Sequence, residues 1–386
     1  MSCSACQWTS LRPFLFGSLV VLCFIGLFIT YRSDIKYLDF GKGSQFCPAF
    51  LCADKAQIHH PNPKSATKLQ NNTHSSPTHD IQTAAVDTEP DTIVLIWMWP
   101  FGSRFELDCN IFDIKRCHLT DDKTLYPKAH GVVFHHRDIH GNLDNLPKMP
   151  RPSFQKWVWF NMESPANSPR IPGLKKLFNL TCNYRRDSNI QVPYGYLLPV
   201  TSEDESFKLP AKDKLVCWIV SNWSEQQKRV QYYNELKKYI KIHVYGNAFG
   251  HHLSNDEYPK ILSSCKFYLS FENSINKDYI TEKLYNPLIM GTVPITLGPP
   301  KQTYEEYAPA DSFIHVDDFS SPQKLAERLL YLDQNKTEYM QFFAWRSMFK
   351  VQRSEFGRSH ACKTCKYLQD HKEYQAVNDL ISWYWG

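Results

Sequence analysis

Apolar runs alternate with amphipathic stretches along most of the chain. The run "TIVLIWMW" beginning at Thr92 predicts a buried strand, stopped by Pro100-Phe-Gly102. "GVVFHH" (Gly131–His136) and "KWVWFNM" (Lys156–Met162) predict two more. A second series follows: "KLVCWIVS" (Lys214–Ser221), "IKIHVYG" (Ile240–Gly246), "CKFYLSF" (Cys265–Phe271) and "TVPITLG" (Thr292–Gly298). Between strands lie helical patterns such as Glu225–Tyr239, where Val230, Tyr233, Leu236 and Ile240 repeat at helical spacing. Near-continuous apolar strands alternating with helices predict an α/β protein with parallel sheets covered on both faces. The polar, proline-containing segment Leu198–Lys214 divides the series, so two Rossmann-like domains with a cleft between them are expected, at 91–205 and 206–360. The segment 361–386 ends in an amphipathic helix within "YQAVNDLISWYWG" and is expected to pack back on the first domain.

The N-terminal pattern is different. No charged residue occurs between Arg12 and Arg32, and residues 13–31 are almost wholly apolar, a length that suits one helical bilayer crossing. No small-residue cleavage pattern follows, so the reading is an uncleaved signal-anchor behind a cytosolic tail of residues 1–12. Residues 32–90 form a stem, and from Ala53 to Pro90 they contain no Phe, Trp or Tyr with which to build a core. Four Asn-x-Ser/Thr sequons, at Asn71, Asn179, Asn222 and Asn335, all lie beyond the span. With the 12 cysteines, they predict a type II protein whose globular part faces an oxidising lumen. The net charge of +5 is mild and basic blocks are absent, which argues against nucleic acid as a partner and is compatible with an anionic small molecule.

The cysteine spacings leave alternatives open. Cys362-x-x-Cys365 could be half of a zinc site, but Cys109 and Cys117 lack the spacing of the other half. A redox role would want the C-x-x-C directly after a strand. Structural disulfides between the early loop of the first domain and the C-terminal segment fit better, with Cys217 and Cys265 as a third pair and Cys182 left over. Cys47 and Cys52 could pair with each other or between chains, which keeps a homodimer open.

Absent motifs narrow the chemistry. There is no phosphate-binding G-x-x-x-x-G-K-[ST], no dinucleotide fingerprint after a strand, no H-E-x-x-H, no G-x-S-x-G and no Asp-x-Asp. A nucleotide diphosphate would therefore be neutralised here by side chains and helix termini. Glu272-Asn273 leave the carboxyl end of a strand, where ligands sit in open α/β sheets, and Tyr279–Lys283 begin the next helix. In that position Lys283 offers a mobile cation beside exposed backbone N–H groups, and Glu282 can accept two ribose hydroxyls. The same residues also read as a dipole-favoured Glu and a solvated Lys. Arg229 is either a second cation at that edge or an exposed helical arginine. Glu163, just past "KWVWFNM", is either a partly desolvated general base or a loop-capping carboxylate. "HHRD" (His135–Asp138) suits hydroxyl recognition or a structural role.

Taken together, "WPFG" (99–102), "HHRD" (135–138), "FQKW" (154–157), "ESP" (163–165), "YRRDS" (184–188), "VPYG" (192–195), "VSNW" (220–223), "SFENS" (270–274), "DYITEKLYN" (278–286) and "PADSFIH" (309–315) resemble the α-1,3-fucosyltransferases of animals, glycosyltransferase family 10. The resemblance runs from about Thr92 to the C-terminus. It implies a GT-B fold and an inverting transfer of L-fucose from GDP-fucose to the 3-OH of GlcNAc in type 2 lactosamine, giving Lewis x-type structures without cofactor or essential metal. It implies Glu163 as base, Arg229 and Lys283 on the phosphates, Glu282 on the ribose, and Asn273, Tyr279 and Tyr245 lining the donor pocket. On the acceptor side it implies His136, Arg137 and Trp159, with Arg137 favouring type 2 acceptors. It also implies the disulfides Cys109–Cys362, Cys117–Cys365 and Cys217–Cys265, a Golgi membrane location, and lactosamine-bearing glycoproteins and glycolipids as partners. A transferase for another nucleotide sugar and a catalytically silent luminal glycan-binding protein are the alternatives. Two features depart from the pattern: Pro287 falls inside the expected helix, at a cost of roughly 3 kcal/mol if uncompensated, and the Asn222 sequon adjoins the donor site, so it is expected to be unoccupied.

Overall fold

The computed structural model describes residues 91–386 apart from 203 and 205. The expected tail, membrane span and stem, with Cys47, Cys52 and Asn71, lie outside the described residues. Among the described residues no helix is long and apolar enough to cross a membrane.

The first sheet contains β1 (Thr92–Ile96), β2 (Cys117–Thr120), β3 (Gly131–His135), β4 (Lys156–Phe160), β5 (Leu180–Asn183) and β6 (Ile190–Gln191), in the order β2-β1-β3-β4-β5-β6. All its neighbours are parallel, with Gly131 opposite Lys156 and Phe160 opposite Cys182. After β7 (Gly195–Pro199), the chain builds a second parallel sheet from β8 (Lys214–Ile219), β9 (Ile242–Tyr245), β10 (Cys265–Phe271), β11 (Val293–Leu297) and β12 (Ile314–His315). Its order is β12-β11-β10-β8-β9. The chain then returns as β13 (Phe349–Arg353), antiparallel to β7.

Both faces of the first sheet are buried, and residue parity decides which side chain goes where. Val133, Val158 and Phe160 face the helix Arg358–Asp370, sharing a cluster with Ala361 and Leu368. Val132, Phe134, Trp157 and Trp159 face the other way and pack with Leu380 and Tyr384 of the helix Leu380–Trp385. The second sheet buries Val216, Trp218, Phe267, Leu269, Phe271 and Ile295 against the helices Lys228–Leu236 and Pro322–Gln334.

The three expected disulfides are formed: Cys109–Cys362, Cys117–Cys365 and Cys217–Cys265. The first closes a sequence separation of 253 residues, which by loop entropy alone disfavours the unfolded chain by about 5 kcal/mol. Cys182 is free and buried, and burial pushes its thiol up to about 12.

Each strand expected from an apolar run is present, β10 with the expected bounds and the others trimmed at their ends. The helix expected over Glu225–Tyr239 is shorter, Lys228–Leu236, and the C-terminal one covers only Leu380–Trp385. Pro287 lies inside the helix Glu282–Met290, where the missing N–H would have bonded the Lys283 carbonyl. Ser270 Oγ, reaching out from β10, donates to that carbonyl at 2.6 Å and replaces the lost partner.

Candidate active site

The carboxyl ends of β4 and β10 meet, and most of the expected site residues stand there. Beyond β4, buried Asn161 accepts from the Glu163 N–H at 3.2 Å and donates to Ser168 Oγ at 2.9 Å, fixing the turn. Glu163 Oε1 accepts from the Ser164 N–H at 2.8 Å and from the Tyr279 hydroxyl at 2.7 Å. The backbone is fixed as well: Tyr194 donates to the Met162 carbonyl and Tyr384 to the Glu163 carbonyl. Glu163 is therefore a half-buried carboxylate whose orientation is set by groups from three separate parts of the chain.

Tyr279 comes from the loop after β10, which crosses to the first sheet. Ser274 Oγ lies 2.7 Å from Ser164 Oγ and 3.2 Å from Asn273 Oδ1, which places Asn273 beside the Glu163 turn. Asp278 has a left-handed φ of 56° and is held there by the Arg186 N–H at 3.1 Å and the Arg186 guanidinium at 3.2 Å. Asp accepts this conformation more readily than most side chains do, and it is what turns Tyr279 inward, where it is 2% exposed.

On the other side of Tyr279 is a charged cluster. Glu272, 1% exposed, accepts from the Thr281 N–H at 2.8 Å and from Thr281 Oγ1 at 2.9–3.0 Å. The Lys283 ammonium lies 3.2 Å from Glu272 Oε2 and 3.0 Å from Glu282 Oε1, and donates to Thr281 Oγ1 at 2.9 Å. Burial raises the Glu272 pKa from its ordinary value, and the Lys283 ammonium acts against that rise. Burial alone would lower Lys283, but Glu272 and Glu282 overcome it and raise it. The cluster thus holds its protons more tightly than water would. Arg229 is 4% exposed, so it is not a solvated helical arginine; its guanidinium donates to Gln227 Oε1 at 2.9 Å and to the Asn222 carbonyl. Burial lowers its pKa, and the fields of Glu272 and Glu282 act the other way. Tyr245 is set apart at the end of β9, two strands from β10, with its ring centroid 5.0 Å from that of His251.

Two expectations about this cluster need correction. Lys283 is not a mobile cation, because two carboxylates and a hydroxyl hold it. Nor does the helix start offer a row of free N–H groups: the Thr281 N–H is taken by Glu272, and the Lys283 N–H by Thr281 Oγ1. The sequence pattern placed Glu272 at the carboxyl end of its strand but assigned it no role. A Thr before Glu-Lys marks a helix N-cap, but nothing local says that the carboxylate following the preceding strand is aimed at that cap.

On the acceptor side, His136 and Trp159 are corrected. His136 is 1% exposed, with Nε2 bonded to the Pro169 carbonyl at 2.9 Å and Nδ1 accepting from the Trp159 indole at 3.1 Å. Burial lowers its pKa to about 4. Trp159 is enclosed by Trp383, Tyr384 and Trp385. Both belong to the core on the face of the sheet that carries the C-terminal helix, and neither can touch a glycan. Arg137 is exposed, bonds the Asn167 carbonyl at 3.1 Å, and lies 6.0 Å from the ring of exposed Phe101. Of the sequons, Asn222 is exposed and Asn335 caps the helix Lys336–Gln341. Asn179 is buried, and its Nδ2 donates to the Gln375 carbonyl at 2.8 Å, so this packing is that of an unglycosylated side chain. Among the described residues no cluster of His, Cys, Asp and Glu suited to a metal ion occurs.

The two halves of this arrangement match two family descriptions: "Fucosyltransferase, N-terminal" over residues 89–195 and "Glycosyltransferase family 10 (fucosyltransferase) C-term" over residues 209–383. The chain belongs to glycosyltransferase family 10. This family 10 chain is 53% identical over 298 residues to the 4-galactosyl-N-acetylglucosaminide 3-alpha-L-fucosyltransferase 9 of Mus musculus, an alignment covering 77% of this chain and 83% of that one. It is 45% identical over 378 residues to the enzyme of the same name in Cricetulus griseus, covering 97% and 98%. A crystal structure of an α1,3-fucosyltransferase with GDP-fucose superposes with a TM-score of 0.51 at 16% identity, covering 76% of this chain and 94% of that one. At that identity it shows the fold alone, the GT-B pair of parallel α/β sheets.

Proposed function

We propose that this α-1,3-fucosyltransferase transfers L-fucose from GDP-fucose to the 3-OH of GlcNAc in type 2 lactosamine, with inversion and without an essential metal. Glu163 takes the proton of the acceptor hydroxyl as its oxygen attacks the anomeric carbon. The bond from that carbon to the β-phosphate oxygen breaks, and GDP leaves with the electron pair. Arg229 and Lys283 balance the charge that develops on the diphosphate, Glu282 accepts the ribose hydroxyls, and Asn273 and Tyr279 line the pocket between them. Arg137, exposed beside Asn167 and Phe101, faces the acceptor. The observation that carries the reading is the Tyr279 hydroxyl bond to Glu163, which sets a carboxylate from the end of β4 beside the cation cluster at the end of β10. The names of the relatives support the acceptor and linkage, and the GDP-fucose in the matched crystal structure supports the donor. The three disulfides support a luminal globular part, and we place it on a Golgi membrane as a type II protein.

The test is Glu163→Gln, which keeps size and packing but removes the base. Transfer to lactosamine is expected to fall at least about 100-fold while GDP binding persists. Retained transfer refutes the base assignment. Equal turnover with UDP- or other GDP-sugars would refute the donor, and loss of activity in EDTA would refute metal independence.

A further inference from the structure

We infer that Glu272 is a positioning residue for the donor: its buried carboxylate fixes the Lys283 ammonium at the helix start, where it meets the diphosphate of the nucleotide sugar. This rests on the reading of Lys283 as a phosphate ligand.

The geometry separates this role from simple capping. Thr281 already caps the helix Glu282–Met290, since its Oγ1 accepts from the Lys283 N–H. A cap therefore does not require Glu272, and enclosing a carboxylate is costly unless it is paired. The two oxygens of Glu272 divide the work. Oε1 takes the Thr281 N–H at 2.8 Å, and Oε2 faces the Lys283 ammonium at 3.2 Å. Thr281 Oγ1 links the two, donating to Glu272 and accepting from Lys283 Nζ at 2.9 Å. Space for this arrangement is left by Gly298. A Cβ there would come within 3.1 Å of Glu272 Cγ and 2.4 Å of the Tyr304 hydroxyl.

Glu282 also holds the ammonium, at 3.0 Å. When the ribose hydroxyls occupy Glu282, that hold is shared, and Glu272 becomes the anchor that remains. Because Glu272 is enclosed and takes its other bonds from the Thr281 backbone and hydroxyl, it cannot follow the ligand. It therefore sets where the cation stands.

Charge alone predicts the opposite sign. Removing a buried carboxylate near a bound diphosphate would relieve repulsion and tighten binding. Positioning predicts weaker binding. The ratio of GDP to GMP affinity separates the two, because it reports the second phosphate and is insensitive to a general loss of folded protein. We expect Lys283→Met to lower this ratio at least about 10-fold, and Glu272→Gln to lower it about 5- to 10-fold in the full-length protein. In the double variant, Glu272→Gln should have no further effect, since it acts through Lys283. Should Glu272→Gln not fold, Thr281→Val, which removes the hydroxyl joining Glu272 to Lys283, carries the same expected loss. A ratio unchanged or raised in Glu272→Gln, with Lys283→Met lowered, overturns the inference. A ratio unchanged in Lys283→Met overturns the phosphate reading on which it rests.

Discussion

Pro287 and Ser270 offer the sharpest test of how the fold supports the site. Pro287 is the sixth residue of the helix Glu282–Met290 and has no N–H for the Lys283 carbonyl. Ser270, 1% exposed on β10, supplies the donor at 2.6 Å. In Ser270→Ala the carbonyl is left buried and unpaired, at a cost of about 1–3 kcal/mol. At roughly 2 kcal/mol, the melting temperature should fall by about 4–8 °C on the scale of domains of 150–250 residues. Pro287→Ala returns the missing N–H, so the helix can satisfy its own carbonyl and Ser270 becomes dispensable. In that background Ser270→Ala should cost only about 0.5 kcal/mol, giving a coupling of about 1.5 kcal/mol between residues 17 positions apart. Scanning calorimetry on wild type, both single variants and the double variant measures it. If the two losses simply add, Ser270 is not standing in for the proline N–H and the reasoning fails. The affected carbonyl belongs to Lys283 itself, so GDP affinity is expected to fall with stability in Ser270→Ala and to recover in the double variant.

Tyr279→Phe removes the hydroxyl bond to Glu163, a bond to a charged group worth about 1.5–3 kcal/mol; kcat for fucose transfer should drop roughly 10- to 100-fold, and an unchanged kcat would refute an orienting role. Trp159→Phe removes the indole bond to His136 and should lower stability by about 1–3 kcal/mol. It should leave the acceptor KM unchanged, whereas a specific rise in that KM would restore Trp159 to the acceptor site. His136 has a folded-state pKa of about 4 against an ordinary value of 6.5, because it is buried. The unfolded chain therefore binds this proton first as pH falls, and the contribution of neutral His136 is complete above about pH 6.5 and lost toward pH 4. Burial shifts His135 and His360 the same way. Urea unfolding should show a loss on the order of 2–3 kcal/mol from His136 across that interval, and stability that is flat or rises on acidification would contradict it.

How far the chain could be read from its letters depended on where each feature's partner lies. Strands such as β3, buried on both faces, declare themselves as near-continuous apolar runs. Short strands do not: β2 is "CHLT" and β6 is two residues long, and each exists because a parallel neighbour fixes it. The acceptor assignments failed for a related reason. His136 and Trp159 sit at strand ends near Glu163, but β-strand parity turns Trp159 away from the site, and the surface that then covers it comes from Trp383, Tyr384 and Trp385, more than 220 residues later. No spacing within "HHRD" or "KWVWFNM" contains that information. The disulfides behaved the same way, with spacing identifying the cysteines but not their connectivity.

The adjacent Glu282 and Lys283 bring these limits together. Neighbouring residues within a helix point about 100° apart and do not face each other, yet here carboxylate and ammonium lie 3.0 Å apart. They can do so because they occupy the first turn, where Thr281 is extended with φ −106° and ψ −169°, and because Lys283 is drawn back over that turn toward Glu272. The pair visible in the sequence is thus the outer part of a triad whose inner member ends the preceding strand. Glu272 looked unremarkable because its function depends on a backbone N–H and a hydroxyl nine residues later, and on a glycine at 298 that leaves it room. If that reasoning is right, Gly298→Ala should impair the site without touching any ligand: the added methyl forces Glu272 or Tyr304 to move, and GDP affinity should fall at a fixed amount of folded protein. Affinity held at the wild-type level would mean that the cluster tolerates displacement and that the position of Lys283 is set elsewhere.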